Sequence, residues 1–162
     1  MNQKNDNKTT TERKSDLELV ATRTFDALPH IVFKAWTTPE LFIRWWVPKS
    51  GGMTLISCEM DVRLGGGYSL EFGHPAFDKP MIFFGKYIEV TPNQRLAWTN
   101  EESDEGPLTV VTFEEKDGQT LLTLTETYPT KQALEASLGG IEAAAEQFEQ
   151  LDAILLGLCV GE

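Results

Sequence analysis

Apolar and polar side chains alternate in part from Leu17 to Phe25, which is the period of a half-buried strand. At Leu28-Pro29 the period changes. Ile31, Val32, Ala35 and Trp36 recur at helical spacing, and proline is at home in a first helical turn. A second helix start follows at once: Thr38 is placed to cap it, Pro39 to open it, and Glu40 favours the first turn electrostatically. That helix carries Leu41, Phe42, Trp45 and Trp46 and stops at Val47-Pro48 and Gly51-Gly52.

The middle of the chain returns to period two. Met53 to Val62 reads as a strand, Gly65-Gly66-Gly67 as a turn, and Tyr68, Leu70 and Phe72 alternate with Ser69, Glu71 and Gly73. Strands are expected over Met81 to Val90 and Arg95 to Asn100, separated by Thr91-Pro92-Asn93. Leu108 to Glu115 and Gln119 to Tyr128 flank Lys116-Asp117-Gly118, and Asp-Gly between strands is a hairpin signal. Pro129-Thr130 then opens a helix. Leu134, Leu138, Ile141, Ala145, Phe148, Leu151 and Leu155 fall on one face of it, over about 25 residues. Gly139-Gly140 inside it marks a kink or a close backbone approach.

This order predicts an α+β fold: an antiparallel sheet of about six to seven strands, two short helices after the first strand, and one long C-terminal helix. Sheet and helix each have one apolar face, so each covers the other. A sheet curved round the helix leaves room for a cavity between them. Met1 to Asp16 is polar and lacks aromatic residues, which predicts a disordered tail, with a single domain over residues 17–160.

Charge narrows the partners. The 162 residues carry 14 basic and 25 acidic side chains, a net charge of −11. A nucleic-acid backbone or an anionic membrane needs a basic surface, so neither is an expected partner. No signal-peptide pattern and no apolar run of membrane length is present, which points to the cytoplasm. Cys58 and Cys159 stand alone rather than in a CxxC pair, as reduced thiols do. His30 and His74 belong to no metal-binding pattern, and no phosphate loop or GxSxG elbow occurs. No metal and no cofactor is expected.

The stretch from Val32 to Glu40, followed by Arg44-Trp45-Trp46, resembles the activator-of-heat-shock-chaperone-ATPase homologue family. Met60 to Tyr68 and Gly85 to Trp98 carry the same resemblance, which spans roughly residues 17–158. That family belongs to the START-like (SRPBCC) superfamily, whose helix-grip fold wraps a curved sheet round the last helix. The resemblance implies a domain that binds a hydrophobic small molecule; some branches are enzymes, and the family name implies a chaperone partner or stress-related role. The family often has Gly-Gly-Trp early in the last helix, where this chain has Gly139-Gly140-Ile141. Its co-chaperones also carry a separate N-terminal domain where this sequence has a polar tail, which weighs against that reading. A chaperone or a second copy of the chain are the protein partners left open.

Candidate cavity residues follow from the faces. Adjacent helical residues point about 100° apart, so of Trp45 and Trp46 one is expected in the core and one at a cavity mouth. Tyr68, Leu70 and Phe72 share a strand face, with Phe84 and Trp98 on neighbouring strands and Ile141 and Phe148 on the last helix. Leu122, Leu124, Glu126 and Tyr128 share another face. Glu126 thus takes an inward phase, where a carboxylate is costly unless paired or protonated. It reads either as a cavity carboxylate that orients a ligand or acts as a base, or as a structural group paired with Arg63, Arg95 or a backbone amide, or exposed near the strand end. No catalytic residue is assigned, since no nucleophile, histidine and acid combine in any pattern. A small-molecule binding domain is the leading expectation. A cyclase- or hydrolase-like enzyme using a cavity carboxylate and a chaperone-interaction module are the alternatives.

Overall fold

The computed structural model describes residues 8–76, 78–138 and 143–160, apart from the side chains at 51, 159 and 160. Eight strands form one antiparallel sheet in the order β1-β2-β8-β7-β6-β5-β4-β3. They are β1 Thr10–Arg13, β2 Glu18–Phe25, β3 Thr54–Met60, β4 Gly67–Gly73, β5 Met81–Thr91, β6 Arg95–Thr99, β7 Leu108–Lys116 and β8 Gln119–Thr127. Between β2 and β3 run α1, Pro29–Thr37, α2, Pro39–Phe42, and a short 3₁₀ turn at Lys49–Gly51. After β8 come α3, Lys131–Ala136, and α4, Ala144–Val160.

The topology puts the second strand beside the last, so β2 pairs with β8 while β3 and β4 lie at the far edge. One face of the sheet is covered by α1 and α4. Leu19, Ala21 and Phe25 of β2, Leu122 and Leu124 of β8 and Val111 of β7 are buried beneath Val32, Ala35, Phe148, Leu151 and Leu155 of the two helices. Phe25 and Phe148 meet edge to face at 5.7 Å, a preferred aromatic geometry. Arg23 also points to this side, pairs with Asp152 of α4 at 3.3 Å and lies over the Phe25 ring.

The sheet and the first short helix stand where the sequence placed them, whereas α2 ends at Phe42, so Trp45 and Trp46 follow it in a turn instead of lying on it. Three further differences have physical causes. The expected tail over residues 1–16 contains strand β1, which pairs Thr10–Arg13 with Leu19–Thr22. All four of its residues are exposed, so backbone pairing and the Arg13–Glu135 ion pair hold it, and no apolar alternation announces it. It raises the strand number to eight. The expected long C-terminal helix is divided: α3 ends where Ser137 leaves helical geometry, its hydroxyl donating to the Ala133 carbonyl and its N–H to Leu134. Gly139, Gly140 and Ile141 lie outside the described residues. At the start of α3, Thr130 caps the helix by accepting the Ala133 N–H. Thr38, in contrast, caps α2 without its side chain, through a carbonyl that accepts from Leu41 and Phe42.

Candidate functional site

The other half of the inner face, under β3 to β6, is roofed only by the end of α1, by α2 and by the turn after it. There the covering is incomplete, and a partly open cavity of about 50 Å³ remains. Trp36 of α1, Phe42 of α2 and Trp46 form the roof. Met60, Tyr68 and Leu70 line it from β3 and β4, Phe83 and Tyr87 from β5, and Trp98 and Asn100 from β6 and its end. Seven of the ten wall residues are aromatic and none is charged, so the site recognises shape and apolar surface.

Its rings brace one another. Trp36 lies 6.0 Å from Trp46 and 6.1 Å from Trp98, Tyr87 lies 5.9 Å from Tyr68, and Trp46 stacks on Phe42 at 4.8 Å. Trp46 is half-buried, and its ring meets those of Phe42, Trp36 and Trp45. Its neighbour Trp45 is fully buried and donates its indole N–H to the Ala35 carbonyl at 3.0 Å. Adjacent tryptophans thus divide into a core residue and a wall residue.

The polar end of the cavity is built by two close backbone approaches. The Tyr68 hydroxyl donates to the Thr99 carbonyl at 2.7 Å and lies 3.1 Å from Asn100 Oδ1. Asn100 Nδ2 donates to the Pro107 carbonyl and to Thr109 Oγ1. A Cβ on Gly85 would lie 2.0 Å from the Thr99 carbonyl, and one on Gly106 would lie 2.2 Å from the Asn100 carbonyl. Neither position accepts a side chain without moving backbone. Burial raises the Tyr68 and Tyr87 phenols well above their ordinary value, the carboxylates of Glu102 and Glu101 adding to the shift at Tyr68. Both stay neutral, since desolvation disfavours the phenolate. Burial, with Glu40 nearby, pushes the Cys58 thiol up to about 11, so at neutral pH it is a protonated packing group rather than a nucleophile.

Of the residues the sequence singled out, Trp46, Tyr68, Leu70 and Trp98 meet in this cavity. Phe72 is buried just beyond it, 5.1 Å from the Phe83 ring. Trp45, Leu124 and Phe148 are core residues. Phe84 is 43% exposed on the opposite face of the sheet. The run Met81-Ile82-Phe83-Phe84 is apolar at both parities, so period two gives it no phase; the inward positions are those of Phe83 and Tyr87. Ile141 lies outside the described residues. Trp36, Phe42, Met60, Phe83, Tyr87 and Asn100 were not among the sequence candidates. Trp36 was legible only as an apolar helix position, and Asn100 only as the end of a strand.

Glu126 occupies the same cross-strand row as the cavity without reaching it. Tyr87 pairs with Trp98, Trp98 with Thr109, and Thr109 with Glu126. Strands are about 4.8 Å apart, so the carboxylate stands two strands from Trp98 with buried Thr109 between them. It accepts the Tyr128 hydroxyl at 2.7 Å. Burial raises its pKa, and the Tyr128 bond partly opposes that. Arg63 and Arg95 are engaged elsewhere, with Asp61 and Glu89. Among the described residues no three His, Cys, Asp or Glu side chains converge on a metal position, and no helix is long and apolar enough to cross a membrane.

Comparison with known proteins places this geometry. Solved structures of a protein from Rhodobacter sphaeroides (22% identity, 93% of this chain and 99% of that one, TM-score 0.82) and one from Nitrosomonas europaea (23%, 91% and 99%, 0.80) share the fold. So does an AHSA1-like protein from Aeromonas hydrophila (18%, 83% and 94%, 0.64). No curated protein matches the chain. The family described as Activator of Hsp90 ATPase homolog 1-like protein matches residues 26–155, so the chain belongs to that family and has its START-like, helix-grip architecture.

Proposed function

We propose that the chain is a binding domain for an apolar small molecule, taken up in the aromatic cavity between α1, α2 and strands β3 to β6. The observation that carries this reading is the wall itself. Seven aromatic side chains surround an open space, whereas under α1 and α4 the same sheet carries a cluster of buried side chains.

At about 50 Å³ the space holds a few waters, whereas an apolar cavity that accepts a benzene ring is about 150 Å³. Uptake of a ring therefore requires the wall residues to move apart. Glu126 supports binding over catalysis, since Thr109 separates it from the cavity and Tyr128 already occupies it. The test is native mass spectrometry of freshly purified protein, with thermal shifts from a panel of neutral aromatic compounds. A retained adduct, or a saturable shift, is the expected result. A clean mass together with no shift from any compound contradicts it.

One observation favours a second reading, a protein-interaction module such as the family description suggests. Ile82, Phe84 and Ile88 of β5 are 53%, 43% and 45% exposed on the outer face of the sheet, and exposed apolar groups in series mark contact surfaces. Stimulation of a chaperone ATPase that is lost in an Ile82→Ser/Phe84→Ser variant would favour it.

A further inference from the structure

The walls of the cavity are not equally held. Tyr68 and Leu70 of β4 and Phe83 and Tyr87 of β5 stand on strands with a paired strand on either side. Trp46 stands on the segment between α2 and β3, outside every strand and α-helix. The buried ring of Trp45 anchors the start of that segment. Apart from turn bonds back to α2 and within the 3₁₀ turn, its backbone is bonded to side chains of α4. Gln147 donates to the Trp46 carbonyl, and Glu146 accepts both the N–H and the hydroxyl of Ser50. Gln150 makes three bonds. Its Oε1 accepts the Lys49 N–H at 3.0 Å, and its Nε2 donates to the Trp45 and Val47 carbonyls, each at 2.9 Å. An open groove lies beside these bonds, lined by Ile43, Arg44 and Lys49 with Glu149, Gln150 and Ile154, so packing fills the junction only in part.

We infer that Gln150 is the positioning residue of the cavity roof: it ties down the backbone on both sides of Trp46, holds that ring in the wall, and sets how readily the roof parts. This rests on the small-molecule reading above and names the wall that opens. A primary amide suits the task, because one group accepts and donates at once; a carboxylate there would face two carbonyls. The three bonds hold the roof in the empty and the filled protein alike. Their loss therefore speeds ligand entry and exit together and leaves affinity nearly unchanged, as expected of a gate.

The test compares the full chain with Gln150→Met, which keeps the side-chain length and removes all three bonds. Hydrogen exchange reads the roof without a ligand. The N–H groups of Trp46 and Ser50, which Phe42 and Glu146 hold rather than Gln150, should exchange about tenfold faster in the variant. Stopped-flow mixing with α-methylstyrene reads the gate: both rate constants should rise by about tenfold, with their ratio changed by less than about threefold. Asp152→Ala, which breaks the Arg23 pair on the same helix, is the control for a merely structural loss and should leave both readouts at the parent values. Unchanged exchange at Trp46 and Ser50, or an equal rise in Asp152→Ala, overturns the inference and leaves the binding reading intact. Faster exchange with unaltered ligand rates also overturns it. Faster exchange in a protein to which no aromatic compound binds upholds the hold on Trp46 and overturns the binding reading. Should Gln150→Met fail to fold, Gln150→Glu, which retains the acceptor for Lys49, carries the same comparison.

Discussion

The two halves of the inner face belong to one sheet, yet one is closely covered and the other is not. Under α1 and α4, the inward side chains of β2, β7 and β8 are mostly aliphatic or small, with Phe25, Phe113 and Arg23 as exceptions, and are buried. Under α2, the inward side chains of β3 to β6 are mostly aromatic; Leu70, Tyr87 and Trp98 are buried, whereas Met60, Tyr68 and Phe83 are only partly covered. A helix of 17 residues can seal a sheet; one of four residues cannot. Large flat rings meet edge to face and leave gaps where branched aliphatic groups interdigitate. The lesson is that cavity and core are one surface, distinguished by what roofs it.

The largest effect expected from this contrast is in the solid half. Phe148→Ala should cost about 3–5 kcal/mol, as truncation of a buried aromatic does, read from urea unfolding. The ligand preference of whatever folded protein remains should be unchanged. On the cavity side, Gly85→Ala forces a Cβ against the Thr99 carbonyl and should cost about 1–3 kcal/mol by overpacking. Unlike Phe148→Ala, it should also displace Tyr68 and alter ligand affinity. A Gly85→Ala protein with native stability would break the account of the polar end.

Tyr68→Phe removes the hydroxyl that meets Thr99 and Asn100. It should lower stability by about 1 kcal/mol in the same unfolding measurement and change ligand affinity more than the stability change suggests.

Glu126 separates the halves by pH. Its folded pKa lies above the ordinary 4.5, with burial as the cause. The folded state therefore holds this proton more tightly than the unfolded state does. The group's contribution is fully present below the unfolded value and is lost as pH rises through the folded one. Glu126→Gln should remove that loss, so variant and parent should diverge above pH 4.5 in favour of the variant, and converge below it. Parallel pH profiles would show the carboxylate to be fully solvated. The smallest effect belongs to the exposed Asp61–Arg63 pair at 2.8 Å: Asp61→Ala should change stability by less than about 0.5 kcal/mol.

How much of this is legible without coordinates follows the same division. The β7–β8 hairpin is written in Asp117-Gly118, both of which adopt positive φ, and the phase of β4 is written in Tyr68, Leu70 and Phe72. Such patterns record burial, and burial is what sets them. Strand β1 is held by backbone pairing with every side chain outside, so no pattern exists to be read. The run from Met81 to Phe84 is apolar in both phases, so its inward member depends on register with β4, where Leu70 meets Phe83. Apolar and aromatic residues along the chain pointed to a cavity and to four of its wall residues, Trp46, Tyr68, Leu70 and Trp98. The hold of Gln150 on the backbone beside Trp46 was beyond reach, because which carbonyls a helix amide meets depends on tertiary neighbours alone.

The most direct test of the contrast between the halves is a chemical-shift map of the protein saturated with a neutral aromatic compound such as α-methylstyrene. The account predicts perturbations centred on Trp36, Trp46, Tyr68 and Trp98, with those of Phe25, Phe148 and Leu151 small. Perturbations centred instead on Phe25, Phe148 and Leu151 would contradict it.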